Sequence, residues 1–181
     1  PEGMAHAVAT PTLAVKTRRM SPTDNLIDWV SAEKPLVMQR LGQGLVGLGE
    51  ALRWEFQGPD RFAEASAAWT ALVDNAHIDN PVGIPGSGLV CFGAFTFADQ
   101  SSHTSVIIVP AVVIGVMGDT SFRTDIALHD AAGQGPVARS SRPRSLAPLD
   151  WHSGLLGEAD YRDAVSRTIE RLQEGEADKV V

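Results

Sequence analysis

The hydrophobic positions change period several times along the chain, and each change predicts an element. From Leu13 to Met20, Leu13 and Val15 alternate with Lys16 and Arg18, which is the two-residue period of a strand. Ser21-Pro22-Thr23-Asp24 reads as a turn. Asn25 to Ala32 then reads as a short helix with Leu26, Ile27 and Val30 inward. Pro35 to Leu41 predicts a strand, Gly42-Gln43-Gly44 a turn, and Leu45 to Phe56 a further strand whose second half alternates strictly. After Gly58-Pro59-Asp60 the period lengthens. Phe62, Ala65, Trp69, Leu72, Val73 and Ala76 recur at three- and four-residue steps and predict a helix that stops near His77.

Pro81 to Gly88 is a proline- and glycine-rich loop, and Leu89 to Phe97 predicts a strand. Ser105 to Met117 is one bent strand or two, because Pro110 cannot donate to a ladder. Gly118-Asp119-Thr120 is a turn before the alternating Ser121 to Leu128. Asp130 to Leu149 has the composition of an exposed loop. A last helix runs from Glu158 to Glu174. Tyr161, Ala164, Val165, Ile169 and Leu172 mark its expected buried face, Glu158 and Asp160 suit its positive end, and Gly175 supplies a stop. Mostly antiparallel strands with two substantial helices make an α+β pattern rather than alternating βα units.

Composition narrows the class. A chain of 181 residues with 44% hydrophobic and 20% charged residues has material for a folded core and rules out disorder, collagen or coiled coil as the dominant form. The formal net charge of -7 disfavours nucleic-acid and anionic-membrane partners. Arg139, Arg142 and Arg144 run against that balance, but their Ser/Pro setting reads as a solvated linker. The apolar run from Val106 to Met117 is well short of the ~18 residues of a membrane helix. Cys91 is the only cysteine, which excludes an internal disulfide and a cysteine-based metal site. With no signal-peptide pattern, it points to a reducing cytoplasm.

Most candidate motifs have a plainer structural account. Gly42 to Gly47 spells GxGxxG, but it leads into a strand rather than the helix a dinucleotide site needs, so a glycine-rich hairpin explains it. Gly83 to Gly88 lacks the lysine and hydroxyl of a phosphate loop. His6, His77, His103, His129 and His152 show no i, i+4 pairing, and the Asp74, His77, Asp79 trio reads as a polar helix end. Trp29, Trp54, Trp69 and Trp151 read as packing anchors, and Cys91, between Val90 and Phe92, as a small buried hydrophobe.

Two stretches carry a family resemblance. One is Gly88-Leu89-Val90-Cys91-Phe92-Gly93-Ala94-Phe95-Thr96-Phe97, followed by a Ser-rich turn and Val106 to Gly115. The other is Tyr161, Ala164, Val165 and Ile169 with Gly175-Glu176-Ala177-Asp178-Lys179-Val180-Val181. Together they resemble the N-terminal half of the chorismate-utilising enzymes, and within them the isochorismate synthases of menaquinone or siderophore type. The resemblance implies a layered α/β sandwich of largely antiparallel sheets packed with helices, of which this chain supplies the first half. Residues 1–157 would be the N-terminal portion and residues 158–181 the start of the chorismate-binding region.

It also implies a Mg2+-dependent isomerase whose small-molecule substrate is chorismate. The magnesium ligands would lie in the C-terminal half of the same protein. The matching position for the general base is Lys179, which activates water in relatives that use water, whereas ammonia-using relatives such as anthranilate synthases tend to carry glutamine there. A free lysine has a pKa near ~10.4, so such a base needs desolvation or neighbouring cations. Val180 and Val181 are expected to begin an apolar strand that supplies burial, while Glu176 and Asp178 would oppose the shift if they faced the same pocket. Salicylate synthase, anthranilate or aminodeoxychorismate synthase, and a stand-alone binding or regulatory domain are the alternatives.

Overall fold

The computed structural model describes residues 11–23, 25–129, 148, 150, 152 and 154–180. The chain divides into two compact units, Pro1–Pro143 and Arg144–Val181. The loop expected between Asp130 and Leu149, with its three arginines, lies outside the described residues apart from Pro148, and so does Trp151.

The first unit is built from nine strands and one α-helix among the described residues. They run in the order β1 (Leu13–Arg19), a one-turn 3-10 helix (Leu26–Trp29), β2 (Leu36–Arg40), β3 (Gln43–Leu48), β4 (Leu52–Phe56), α1 (Arg61–Asp74), β5 (His77–Asp79), β6 (Phe92–Ala94), β7 (Ser105–Val109), β8 (Val112–Met117) and β9 (Thr120–Leu128). Six strands form one sheet in the order β2-β3-β8-β9-β1-β5, and three form a second in the order β4-β7-β6. Every pairing is antiparallel except β1 with β5. The mixed α+β class with largely antiparallel sheets is therefore observed.

Two strands cross from one sheet to the other side by side. Leu48 pairs with Val112 in the large sheet, and Leu52 pairs with Val109 in the small one. Between them, Ala51 N–H donates to Val109 O at 2.8 Å and Ala111 N–H to Leu48 O at 3.0 Å, so the crossing keeps its backbone hydrogen bonds. Pro110 supplies the break on one strand. Gly49, at φ 65, supplies it on the other. Leu45 to Phe56 is accordingly two strands, not the single one its alternation predicts, and Ser105 to Met117 is two.

The core lies where one face of the large sheet meets α1 and the small sheet. Leu13, Val15, Leu72, Val109, Val113 and Ile126 form a buried cluster, with Trp54, Trp69, Leu45, Leu89 and Cys91 packed around it. Burial of these side chains from water is the main force holding the unit together. Thr17 and Thr124 are fully buried within this core region. Their hydroxyls bond each other at 2.9 Å, and Gly88 N–H donates to Thr17 at 3.2 Å, so neither hydroxyl is left unsatisfied.

Helix α1 departs from its predicted face. Phe62 and Val73 are exposed, and the buried positions are Arg61, Ala65 and Leu72. Arg61, only 3% exposed, explains the shift. Its guanidinium donates to Gly58 O (2.8 Å), Thr96 O (3.1 Å), Phe97 O (2.9 Å) and Asp99 Oδ1 (2.5 Å). Phe62 instead stacks on Phe95, with ring centroids 4.9 Å apart. The predicted strand Leu89 to Phe97 shrinks to Phe92–Ala94, and beyond its far end the carbonyls of Thr96 and Phe97 accept from Arg61 instead of a neighbouring strand. The short helix is a single 3-10 turn with Leu26 buried and Ile27 exposed.

In the second unit, α2 (Glu158–Gln173) has the predicted boundaries to within one residue. Glu158 and Asp160 occupy its first turn and complement the helix dipole. The expected buried face is not observed: α2 buries none of its residues. No helix among the described residues is long and apolar enough to cross a membrane.

Candidate functional site

The segment that follows α2 is shaped by its own helix cap. Gly175 takes φ 80, a left-handed conformation that a glycine adopts without steric cost. Gly175 N–H donates to Leu172 O at 3.1 Å and Glu176 N–H to Arg171 O at 3.1 Å. This pair of bonds is a Schellman motif, and it turns the chain sharply out of the helix. Where a hydrophobic contact often closes that motif, here the guanidinium of Arg171 donates to the Glu176 carboxylate. The turned segment and the last helical turn then border a hollow of about 200 Å³ lined by Thr168, Arg171, Leu172, Glu176, Ala177 and Val180.

Lys179 stands in this turned segment, one residue from the hollow's edge, and is exposed. Residues 177–180 form no strand, so the expected strand start is not present there: no described segment pairs with them. Val181 lies outside the described residues. Glu176, anticipated as a negative charge acting on the lysine, is engaged by Arg171. That pairing was not read from the sequence, although the five-residue spacing across a glycine stop is its signal.

The remaining candidates fall into place as structure. Gly42 to Gly47 forms the β2–β3 hairpin, with Leu41 and Gly42 as its turn, and not a helix N-terminus. The loop of Gly83 to Gly88 closes on itself. Ser87 Oγ accepts from Ile84 N–H and from the Asn80 side-chain amide, each at 3.0 Å, and its hydroxyl donates to Ile84 O at 2.6 Å. Trp54 and Trp69 pack against the core, and Trp29 Nε1–H donates to Thr23 Oγ1 at 3.0 Å. Cys91 is half-buried, and burial raises its thiol pKa above the ordinary value.

His77 and His129 meet across the end of β1 with ring centroids 4.7 Å apart, a contact not anticipated from their spacing. Among the described residues no three His, Cys, Asp or Glu side chains are grouped to hold a metal ion, so Asp74, His77 and Asp79 do not come together as one such group.

Residues 31–181 match the family of chorismate binding enzymes. The chain belongs to that family. The match spans both sheets from β2 onward, α1, α2 and the capped segment that carries Lys179. The observed α+β arrangement is consistent with a chorismate-binding fold, and the family is one of enzymes that act on chorismate. No curated protein and no solved structure matches the chain.

Proposed function

We propose that this chorismate-binding chain is the N-terminal part of an isochorismate synthase, with Lys179 as the general base. The observation that carries the reading is the lysine itself, set in Gly175-Glu176-Ala177-Asp178-Lys179 at the position where water-using relatives carry their base. In this reading Lys179 takes a proton from water as the oxygen attacks the ring carbon next to the carboxylate-bearing carbon of chorismate. The ring double bonds shift, and the C4–O bond breaks. The departing hydroxyl takes a proton from a glutamic acid and leaves as water, so the atoms of chorismate and isochorismate balance.

A base working near neutral pH must lose some of its preference for the charged form, through desolvation or nearby cations. The exposed Lys179 of this structure would gain that setting from residues that approach it with the substrate. A magnesium requirement belongs to the same proposal. When bound, the ion would neutralise substrate carboxylate charge. In this reading its ligands come from the C-terminal half of the same protein. The 181 residues alone are expected to be inactive, and the location is proposed as cytoplasmic.

The test is product analysis by chromatography after incubating the full-length protein with chorismate and magnesium. Isochorismate supports the reading. Salicylate would indicate a synthase that goes on to eliminate pyruvate, and an amino-substituted product would indicate an ammonia-using relative. Saturable small-molecule binding without turnover by the full-length protein would point to a regulatory domain.

A further inference from the structure

The turn between β2 and β3 borders a second hollow, in the first unit, of about 560 Å³. Its walls are Met38, Leu41, Leu45 and Met117, with Gly86 and Arg40 also in the lining. This volume falls within the roughly 300–1,000 Å³ of small-molecule sites, which pair apolar walls with a few polar groups. Three observations separate it from an ordinary surface dent.

The first is backbone strain. Leu41 has φ 51 and is the only non-glycine residue with positive φ among the described residues. With Gly42 at φ 77 it forms a turn whose first position favours Asn, Asp or Gly. The strained leucine gains no compensating burial, since it is 89% exposed. Strain without packing is more readily explained by use than by folding.

The second is charge. The Arg40 side chain forms no hydrogen bond or ion pair with a described residue, although the chain carries a net charge of -7 and most other described arginines are paired. The third is wall chemistry. Met38, 72% exposed, and Met117 supply two thioethers, which make favourable contacts with aromatic rings. Gly86 holds one wall in place. A Cβ there would come 3.0 Å from Leu45 Cδ2, so the loop rests directly on the Leu45 side chain.

We propose that this hollow binds a small aromatic carboxylate, its ring between the methionines and Leu45 and its carboxylate on Arg40. An aromatic ring suits apolar walls that carry two thioethers, and a single guanidinium matches a single carboxylate through paired hydrogen bonds. The site is argued from its own residues and does not depend on Lys179.

The experiment uses the full chain with 13C-labelled methionine methyl groups and 2-naphthoate as probe. The expected result is saturable shifts of the Met38 and Met117 methyl signals, assigned through Met38→Leu and Met117→Leu, with that of Met20 unmoved. The uncharged 2-naphthamide and the Arg40→Gln variant should each weaken binding at least tenfold. Leu41→Asn, which suits the left-handed turn, should raise thermal stability and weaken binding together. A strained leucine with no binding role would give the first change without the second. Absent shifts, equal binding of acid and amide, or full affinity in Arg40→Gln would overturn the proposal. Probe-free shifts that grow with protein concentration would also overturn it, by making this face a contact between copies of the chain.

Discussion

Phe122 lies flat across Gly115, its registered partner on the neighbouring strand. A Cβ built on Gly115 would sit 2.1 Å from Phe122 Cζ, and Phe122 itself is fully buried. The glycine is needed for the space it leaves, because its own φ is ordinary. We predict that Gly115→Ala destabilises the first unit by about 3 kcal/mol or more, as overpacking of a filled core does. Combining it with Phe122→Leu should recover at least about 1 kcal/mol relative to the sum of the single changes. Denaturant unfolding of the four proteins measures this coupling, and simple additivity would show that the two side-chain positions do not compete for one space.

Arg61 makes a second prediction. Its guanidinium satisfies the carbonyls of Gly58, Thr96 and Phe97 from a buried position, while its carboxylate partner Asp99 is half in water. Removing Asp99 therefore costs less than removing Arg61. Arg61→Ala should destabilise by about 2–3 kcal/mol, because it strands buried carbonyls. Asp99→Asn should cost under about 1 kcal/mol. Lysine at 61 should rescue only part of the loss, since an ammonium cannot reproduce the planar fork. Thermal unfolding of the three variants checks the order.

Much of this architecture was legible in the sequence, for identifiable reasons. The helix from Glu158, the glycine stop at 175 and the β9 alternation are local signals, set by residues a few positions apart. The strand β5 was not legible. It has only three residues, directly after α1, and exists through parallel pairing of His77 to Asp79 with Ala14 to Lys16, more than sixty residues earlier. Gly49 was visible, but not that the chain changes sheets there, because the period-2 pattern runs on through both strands. The buried Arg61 contradicted an otherwise clean apolar face, since its partners at residues 96, 97 and 99 come from another part of the chain. Lys179 was singled out by family resemblance alone. Nothing in its local pattern distinguishes it from a surface lysine. The hollow beside Arg40 was invisible for the same physical reason as β5: Met38, Gly86 and Met117 are assembled by the fold.

Cys91 gives a prediction in pH. Burial disfavours its thiolate, so the folded state holds the thiol proton more tightly than the unfolded state does. Its favourable contribution is intact below the ordinary thiol value and is lost as pH rises through the raised folded value. Alkylation by iodoacetamide at pH 7 should be slower in the folded chain than in the urea-unfolded chain, and the folded protein should need a higher pH to reach half-maximal rate. Equal rates would show that Cys91 is not shielded.

The central claim concerns Lys179 and the use of water. The most direct measurement is turnover of chorismate by the full-length protein and its Lys179→Ala variant, with magnesium present and the product separated by chromatography. The account predicts isochorismate from the unaltered protein. It predicts a rate loss of about 10²-fold or more in the variant, as expected for removal of a general base, with the folded state unchanged by circular dichroism. Near-normal isochorismate formation by Lys179→Ala would contradict it.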